Sequence, residues 1–249
     1  MIRIRQYSLT DFVNEYLPAQ RPRRSIKATF LHHTWRPRRE DYHGAGTIEG
    51  IRDYHVNSRG WSDIGTNAYA APDGTVYNGR PLSWSNYCHA LRKKPWADCP
   101  ADYREIATTA TSWPNHYAFG IETIGNFDDE DPAASLAMNT ALAVLAAVHR
   151  LYNLPPERLF LHRDVAYKTC PGSRVTRAWA RAEVARRLGQ AHDLRVILLP
   201  EETEIECNPA LEGNTTRCDL RGVLEGVGYV VSTERFNTDR IIYVTEAKP

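Results

Sequence analysis

Residues 26–34 read IKATFLHHT. Their β-branched and aromatic content marks a strand. Side chains alternate along a strand, so Ala28, Phe30 and His32 share one face while Thr29, Leu31 and His33 share the other. The strand therefore ends by presenting one imidazole to each side of a sheet.

Working outward, TIEGIRDYHVNSRGW (47–61) has the spacing of an amphipathic helix, with Ile48, Ile51, Tyr54 and His55 on one side and an end at Asn57–Gly60. TNAYAAPDGTVYNGR (66–80) is a hairpin: in Pro72-Asp73-Gly74 the proline presets φ and the glycine accepts a positive φ. YAFGIETIGNF (117–127) is a second strand and RLFLHRD (158–164) a third. Between them DPAASLAMNTALAVLAAVHRLYNLP (131–155) is a long apolar helix, opening near Pro132 and stopped by Pro155-Pro156. SRVTRAWARAEVARRLGQA (173–191) is another helix. Alternating strands and helices imply an α/β fold, a mixed central β-sheet flanked by helices.

The first 25 residues read as an N-terminal extension. SLTDFVNEYLP (8–18) holds a short helix capped by Thr10 or Asp11, and PAQRPRR (18–24) is a linker. The main domain is expected over 26–190. Beyond it, VILLPEETEIEC and RIIYVTEA read as strands and CDLRGVLEGVGY as a short helix, a small β-α-β module over 194–249.

The 249 residues carry a net charge of +1, unevenly spread. Residues 193–249 hold eleven acids and six bases, which leaves about +6 on the rest. Arg21, Arg23, Arg24, Lys27, Arg36, Arg38 and Arg39 surround the 26–34 strand. Such a face suits anionic partners such as wall polymers, or is a solvated surface. No apolar run approaches the length of a membrane span. The start, MIRIRQYSLTDF, lacks the apolar block of a secretory signal. Of five cysteines, Cys88/Cys99 and Cys207/Cys218 could each close a short loop or remain thiols, and spacing leaves both open.

FLHRDVAYKTCPGSR (160–174) places His162 eight residues before Cys170, with Lys168 two before the thiol. With His32, these offer two imidazoles and one thiolate, which suits a tetrahedral zinc ion with a fourth position open to water. Such an ion polarises a carbonyl and lowers the pKa of bound water. Each half of the pattern alone is common: a lone strand histidine is more often structural, and His-x7-Cys recurs without chemistry.

FLHHT, GWSDIGTNAYAAPDGTVYNGR, YAFGIETIGNFD and LHRDVAYKTCPGSR occur in this order. Together, over about residues 26–188, they resemble the zinc-dependent N-acetylmuramoyl-L-alanine amidases, a family that includes phage lysozymes of amidase type, peptidoglycan recognition proteins and muropeptide-recycling amidases. The resemblance implies Zn2+ held by His32, His162 and Cys170, with His33 structural. It implies Lys168 as the stabiliser of the oxyanion and Glu122 as general base, against the plain alternative of a strand carboxylate paired to an arginine. The family's tyrosine in the DIGYH motif is replaced here by Thr66, which reaches less far. Thr66 and Asn67 are expected at the substrate, where Asn67 could donate a hydrogen bond; Arg80, closing YNGR, could meet a stem-peptide carboxylate; and His89, in YCHAL, resembles a family histidine that lines the cleft, with a surface salt bridge for Arg80 and a buried structural histidine for His89 as the plain alternatives.

The implied activity is hydrolysis of the amide between N-acetylmuramic acid and L-alanine in peptidoglycan, by a phage-type endolysin or a cytoplasmic recycling enzyme. The rivals are a recognition module that binds without cutting and a zinc peptidase acting within the stem peptide. The partner is peptidoglycan, not nucleic acid or a membrane span. The C-terminal module loosely resembles small stalk domains and could anchor to the wall, pair with another subunit or pack on the main domain. Oligomeric state stays open.

Overall fold

The computed structural model describes residues 1–20, 22–86 and 91–189, together with the backbone of four short strands at 195–199, 203–206, 229–231 and 241–246. Two compact units divide the chain, Met1–Leu188 and Gly189–Pro249.

In the first unit six strands form one sheet: β1 (Gln6–Tyr7), β2 (Ala28–His33), β3 (Ala68–Ala70), β4 (Val76–Asn78), β5 (Ala118–Thr123) and β6 (Leu159–Leu161). Their order is β1-β4-β3-β5-β2-β6. The β1/β4 and β4/β3 pairs are antiparallel, whereas β3/β5, β5/β2 and β2/β6 are parallel. The sheet is mixed, as the alternation of elements implied. Its central strands, β2 and β5, are buried at every residue, which is how parallel strands covered on both faces behave.

The two faces differ, and the alternation along β2 sorts them. Leu31 joins Phe119, Ile121, Leu159 and Leu161 in the larger core cluster, with α2 (Leu136–Tyr152) packed over them. Thr29, on the same face, meets His149 of α2, hydroxyl to Nε2 at 2.8 Å. Ala28 and Phe30 face the other way, into a cluster with Tyr103, Trp113 and Phe160. His32 ends that second row. The hairpin β3–β4 turns through Gly74 at φ 84°, and helix α1 (Ala45–Asp53) precedes it. Helix α3 (Arg177–Gly189) closes the unit.

The structure departs from the sequence reading in five places. The first 25 residues are built into the domain: β1 extends the sheet edge, and Phe12 and Leu17 sit in the larger core cluster. The helical stretch that starts at Leu9 is capped by Ser8, whose Oγ accepts the Asp11 N–H at 3.1 Å, and not by Thr10 or Asp11. In the expected linker, the Arg24 guanidinium donates to the carbonyls of Trp84, His116 and Ala118; a lone arginine has no periodicity that announces this. Helix α2 starts at Leu136 under a Ser135 cap, because Pro132 instead supports the preceding turn. Tyr54 also leaves the face assigned to it, and is exposed where Ile48, Ile51 and His55 are buried.

In the second unit β7 (Arg195–Leu199), β8 (Thr203–Glu206), β9 (Tyr229–Val231) and β10 (Ile241–Glu246) form a sheet in the order β8-β7-β10-β9, with β10 parallel to β7. The expected helix there, Cys207 and Cys218 lie outside the described residues. No helix among the described residues is long and apolar enough to cross a membrane.

Candidate metal centre and cleft

Parallel strands deliver the first two candidate ligands. Leu31 pairs with Leu161, so His32, the next residue of β2, and His162, the next after β6, come out side by side at the carboxyl ends of the strands. Open α/β sheets place their ligand sites at that end. A short helical turn, His162–Val165, begins there, capped by the Asp164 carboxylate accepting the Leu161 N–H at 2.9 Å. The two Nδ1 atoms are 3.2 Å apart, and Cys170 Sγ lies 3.8 Å from Nδ1 of His32. All three ligand atoms fall within 4.8 Å of one another, and all three side chains are buried.

These separations can be tested against an ion. Tetrahedral zinc with Zn–N about 2.0–2.1 Å and Zn–S about 2.3 Å puts two nitrogens about 3.3 Å apart and nitrogen about 3.6 Å from sulfur. The donor set fits. Burial, with the nearby charges of Lys168 and Lys93, pushes His162 down to about 3, so it stays a neutral imidazole able to ligate. Burial pushes the Cys170 thiol up to about 12. An ion entering this site therefore displaces the thiol proton, which couples its affinity to pH.

The loop carrying Cys170 is tied down on both sides. Arg163 donates to the carbonyls of Thr169, Gly172 and Val175, and its own N–H donates to the Cys170 carbonyl at 2.9 Å. The Asp128 carboxylate accepts from the Thr169 hydroxyl at 2.9 Å and the Ser173 N–H at 2.7 Å. Gly172 takes φ 116° against the Phe127 backbone, where a Cβ would lie 2.3 Å from the Phe127 carbonyl carbon. Only glycine fits that approach. His33, on the opposite face from His32, accepts the Phe127 N–H at 3.3 Å, while its own carbonyl lies 3.9 Å from Cys170 Sγ.

Glu122 stands beside the ligands by register. It pairs with His32 on one side and with Tyr69 on the other, so the three side chains form a row across β2, β5 and β3. Burial pushes the Glu122 carboxyl up to about 8, against the opposing pull of the Lys168 charge and the Tyr69 hydroxyl. Lys168 and Glu122 both line a cleft of about 1010 Å³ that also takes in His32, His162 and Cys170. A cavity of this size holds a substantial ligand.

Three expected cleft residues sit elsewhere. Thr66 is fully buried, its Oγ1 packed where a Cβ on Gly120 would come within 2.5 Å. Asn67 is buried too, accepting the Gly120 N–H and donating to the Arg80 carbonyl. The Arg80 guanidinium is turned inward, donating to the carbonyls of Ile64 and Asp63 and to Ser62 Oγ. All three brace the junction between β3 and β5 and do not line the cleft. His89 and Cys88 lie outside the described residues; Cys99 is a buried free thiol. What the sequence reading missed is Tyr69, Asp128 and Arg163. The period-two phase of β3 carried a signal for Tyr69, but its neighbour is set by long-range pairing.

A profile of the family described as N-acetylmuramoyl-L-alanine amidase matches residues 22–173, more than half of the chain. The chain is 27% identical over 136 residues to peptidoglycan-recognition protein SC1a of Drosophila melanogaster, covering 53% of this chain and 62% of that protein. It is 27% identical over 192 residues to an N-acetylmuramoyl-L-alanine amidase of Sus scrofa, covering 71% of this chain and 28% of that one. Both matches span less than two thirds of the curated relative's length. A solved structure of the endolysin amidase LysCS from Clostridium intestinale URNW is similar at a TM-score of 0.46 and 26% identity, over 65% of this chain and 85% of that one.

Proposed function

This chain belongs to the N-acetylmuramoyl-L-alanine amidase family, and on that footing we propose that it is a zinc hydrolase of peptidoglycan that cuts the amide between N-acetylmuramic acid and L-alanine. The observation that carries the reading is the convergence of His32, His162 and Cys170 at separations that suit one tetrahedral ion, on the wall of a large cleft.

The bound ion supplies Lewis acidity to the scissile carbonyl and acidity to its water. The chain's own residues do the rest. Glu122 accepts a proton from the attacking water as its oxygen bonds to the carbonyl carbon, and hands that proton to the nitrogen as the C–N bond breaks. Lys168 and the Tyr69 hydroxyl favour the ionised, proton-accepting form of Glu122. Lys168 also faces the oxygen on which negative charge develops, where a fixed cation lowers the barrier most. Arg163 and Asp128 hold the Cys170 loop in place.

Purified sacculi incubated with the protein should release free stem peptides that begin with L-alanine. Thorough chelation should stop the release and added zinc restore it. Release that persists after chelation sinks the metal's role. Binding to sacculi without release supports the second reading, a recognition module, which the similarity to recognition proteins favours and the filled ligand set disfavours. Products cut within the peptide, read by mass spectrometry, point to a peptidase. Deployment as a phage-type endolysin is the cellular counterpart of this activity, and clearing of turbid cell suspensions tests it.

A further inference from the structure

Strand β6 lies at the edge of its sheet and, among the described residues, pairs with β2 alone. An edge leaves a row of main-chain amides and carbonyls without strand partners. Here side chains take them up. The Leu159 carbonyl accepts from Nε of Arg181 at 3.0 Å, and the Leu161 N–H donates to the Asp164 carboxylate at 2.9 Å. Arg181 also donates to the Glu157 carbonyl at 2.6 Å, just ahead of the strand, and its guanidinium lies over the Phe160 ring at 5.3 Å. His162 is the next residue of the chain after this strand.

The two side chains that cover the edge are themselves joined. Arg181 pairs with Asp102 at 2.8 Å, Asp102 with Arg177 at 3.7 Å, and Arg177 with Asp164 at 3.4 Å. Arg177 and Arg181 stand four residues apart in α3, hence on one helix face. Asp102 comes from the short helix Ala101–Ile106. Two cations and two anions therefore alternate from one edge partner of β6 to the other. A single exposed ion pair contributes little, whereas several charges in a network can hold a geometry. These four are partly sheltered, from 14% side-chain exposure at Asp164 to 32% at Asp102.

The three candidate ligands differ in what holds them. His32 ends a strand flanked by β5 on one side and β6 on the other. The Cys170 loop is tied by Arg163 and Asp128. His162 follows a strand with one neighbour, so its backbone needs support from the open side. Asp164 gives that support, since the same carboxylate that ends the ion network caps the turn opened by His162. Without Arg177 this carboxylate loses its counter-ion and is free to turn to water, which releases the Leu161 N–H.

We propose that Arg177, acting through Asp164, is a positioning residue for His162: the Arg181–Asp102–Arg177–Asp164 network stands in for a neighbouring strand along β6 and fixes where that imidazole meets the ion. The proposal rests on reading His32, His162 and Cys170 as zinc ligands. Its test uses the full chain and two readouts other than activity. In the first, zinc is titrated against a chelator well below the Tm of the metal-free protein, where a fold that is merely less stable binds the ion as wild type does. Arg177→Met keeps the length of the side chain and loses the charge, and should weaken zinc about tenfold. Arg177→Lys should recover part of that loss. Ser135→Ala, a change to the cap of α2, should leave zinc affinity alone. In the second, amide hydrogen exchange is followed in the metal-free protein. Arg177→Met should speed exchange at Leu161 about tenfold, while Ile121 of β5 keeps its wild-type rate. If Arg177→Met does not fold, Asp102→Asn carries the same two readouts. Unchanged zinc affinity, unchanged exchange at Leu161, or equal acceleration at Leu161 and Ile121 overturns the proposal. If wild type takes up no zinc, the metal reading fails by itself, and exchange at Leu161 still decides whether these charges hold β6.

Discussion

At the scale of single residues, Asp128 shows how a side chain outside the candidate ligands ties down the loop that carries one of them. Its carboxylate spans the two residues that flank the Cys170-Pro171-Gly172 turn. Burial alone would raise its pKa, but the bonds from Ser173 and Thr169 outweigh this and leave it below the usual carboxylate range. Removing such a support commonly costs 10–100-fold in metal affinity. Asp128→Ala should therefore weaken zinc by that factor in a chelator competition, and perturb the thiolate-to-metal band of the cobalt form; unaltered affinity and spectrum would refute the coupling. Glu122→Gln should behave in the opposite manner. It keeps the size of the side chain and loses the base, so turnover should fall by about 10²–10⁴ with zinc affinity nearly unchanged. Equal losses in both would reassign Glu122 to metal binding. The candidate ligands were readable because each sits in a short run with its own signature. Thr66, Asn67 and Arg80 misled because their directions depend on β3 lying parallel to β5, fixed by contacts such as Asn67 N–H to the Gly120 carbonyl. Nothing within ten residues of Asn67 in the chain announces that pairing.

Among the elements, β2 and the hairpin were legible for local reasons: alternation assigned the faces of 28–33, and Pro-Asp-Gly fixed the turn. Boundaries were harder, since a cap is a single hydrogen bond. Ser135 Oγ accepts the Met138 N–H at 3.2 Å and starts α2 at Leu136, four residues after Pro132. Ser135→Ala should cost about 1 kcal/mol, or about 2–4 °C in Tm. Because α2 packs on the face opposite the candidate ligands, zinc affinity should hold; a variant that keeps its Tm would show that the cap contributes nothing. The helix expected at 131–155 was recognisable from its length and apolar content, but Pro132 resembled a first-turn proline and drew its start too early.

For the whole molecule, the buried histidines decide how stability answers to acid. Burial pushes His33, His55 and His149 each down to about 4. His149 is the clean case, remote from the candidate ligands. A carbonyl only accepts, so its Nδ1 carries the proton donated to Leu154 O, and Nε2 accepts from the Thr29 hydroxyl. Protonating Nε2 would break that arrangement. Between pH 6.5 and 4 the unfolded chain binds more protons at this site than the folded one. Stability is therefore full above pH 6.5 and falls as pH drops toward 4. For His149 alone the loss approaches about 3 kcal/mol. His149→Gln, measured by denaturant unfolding across that range, should flatten the slope; parallel curves would exclude His149 as a contributor.

The two-residue strand β1 has a consequence out of proportion to its length. By covering β4 it takes up amide and carbonyl groups that would otherwise offer a template to any extended chain nearby. Chains clipped ahead of Ala28 would keep His32, Glu122, His162 and Cys170 but bare that ribbon, and Phe12 and Leu17 would leave holes behind them. Such fragments would stick to one another in the test tube, and loss of soluble protein would be mistaken for loss of the catalyst.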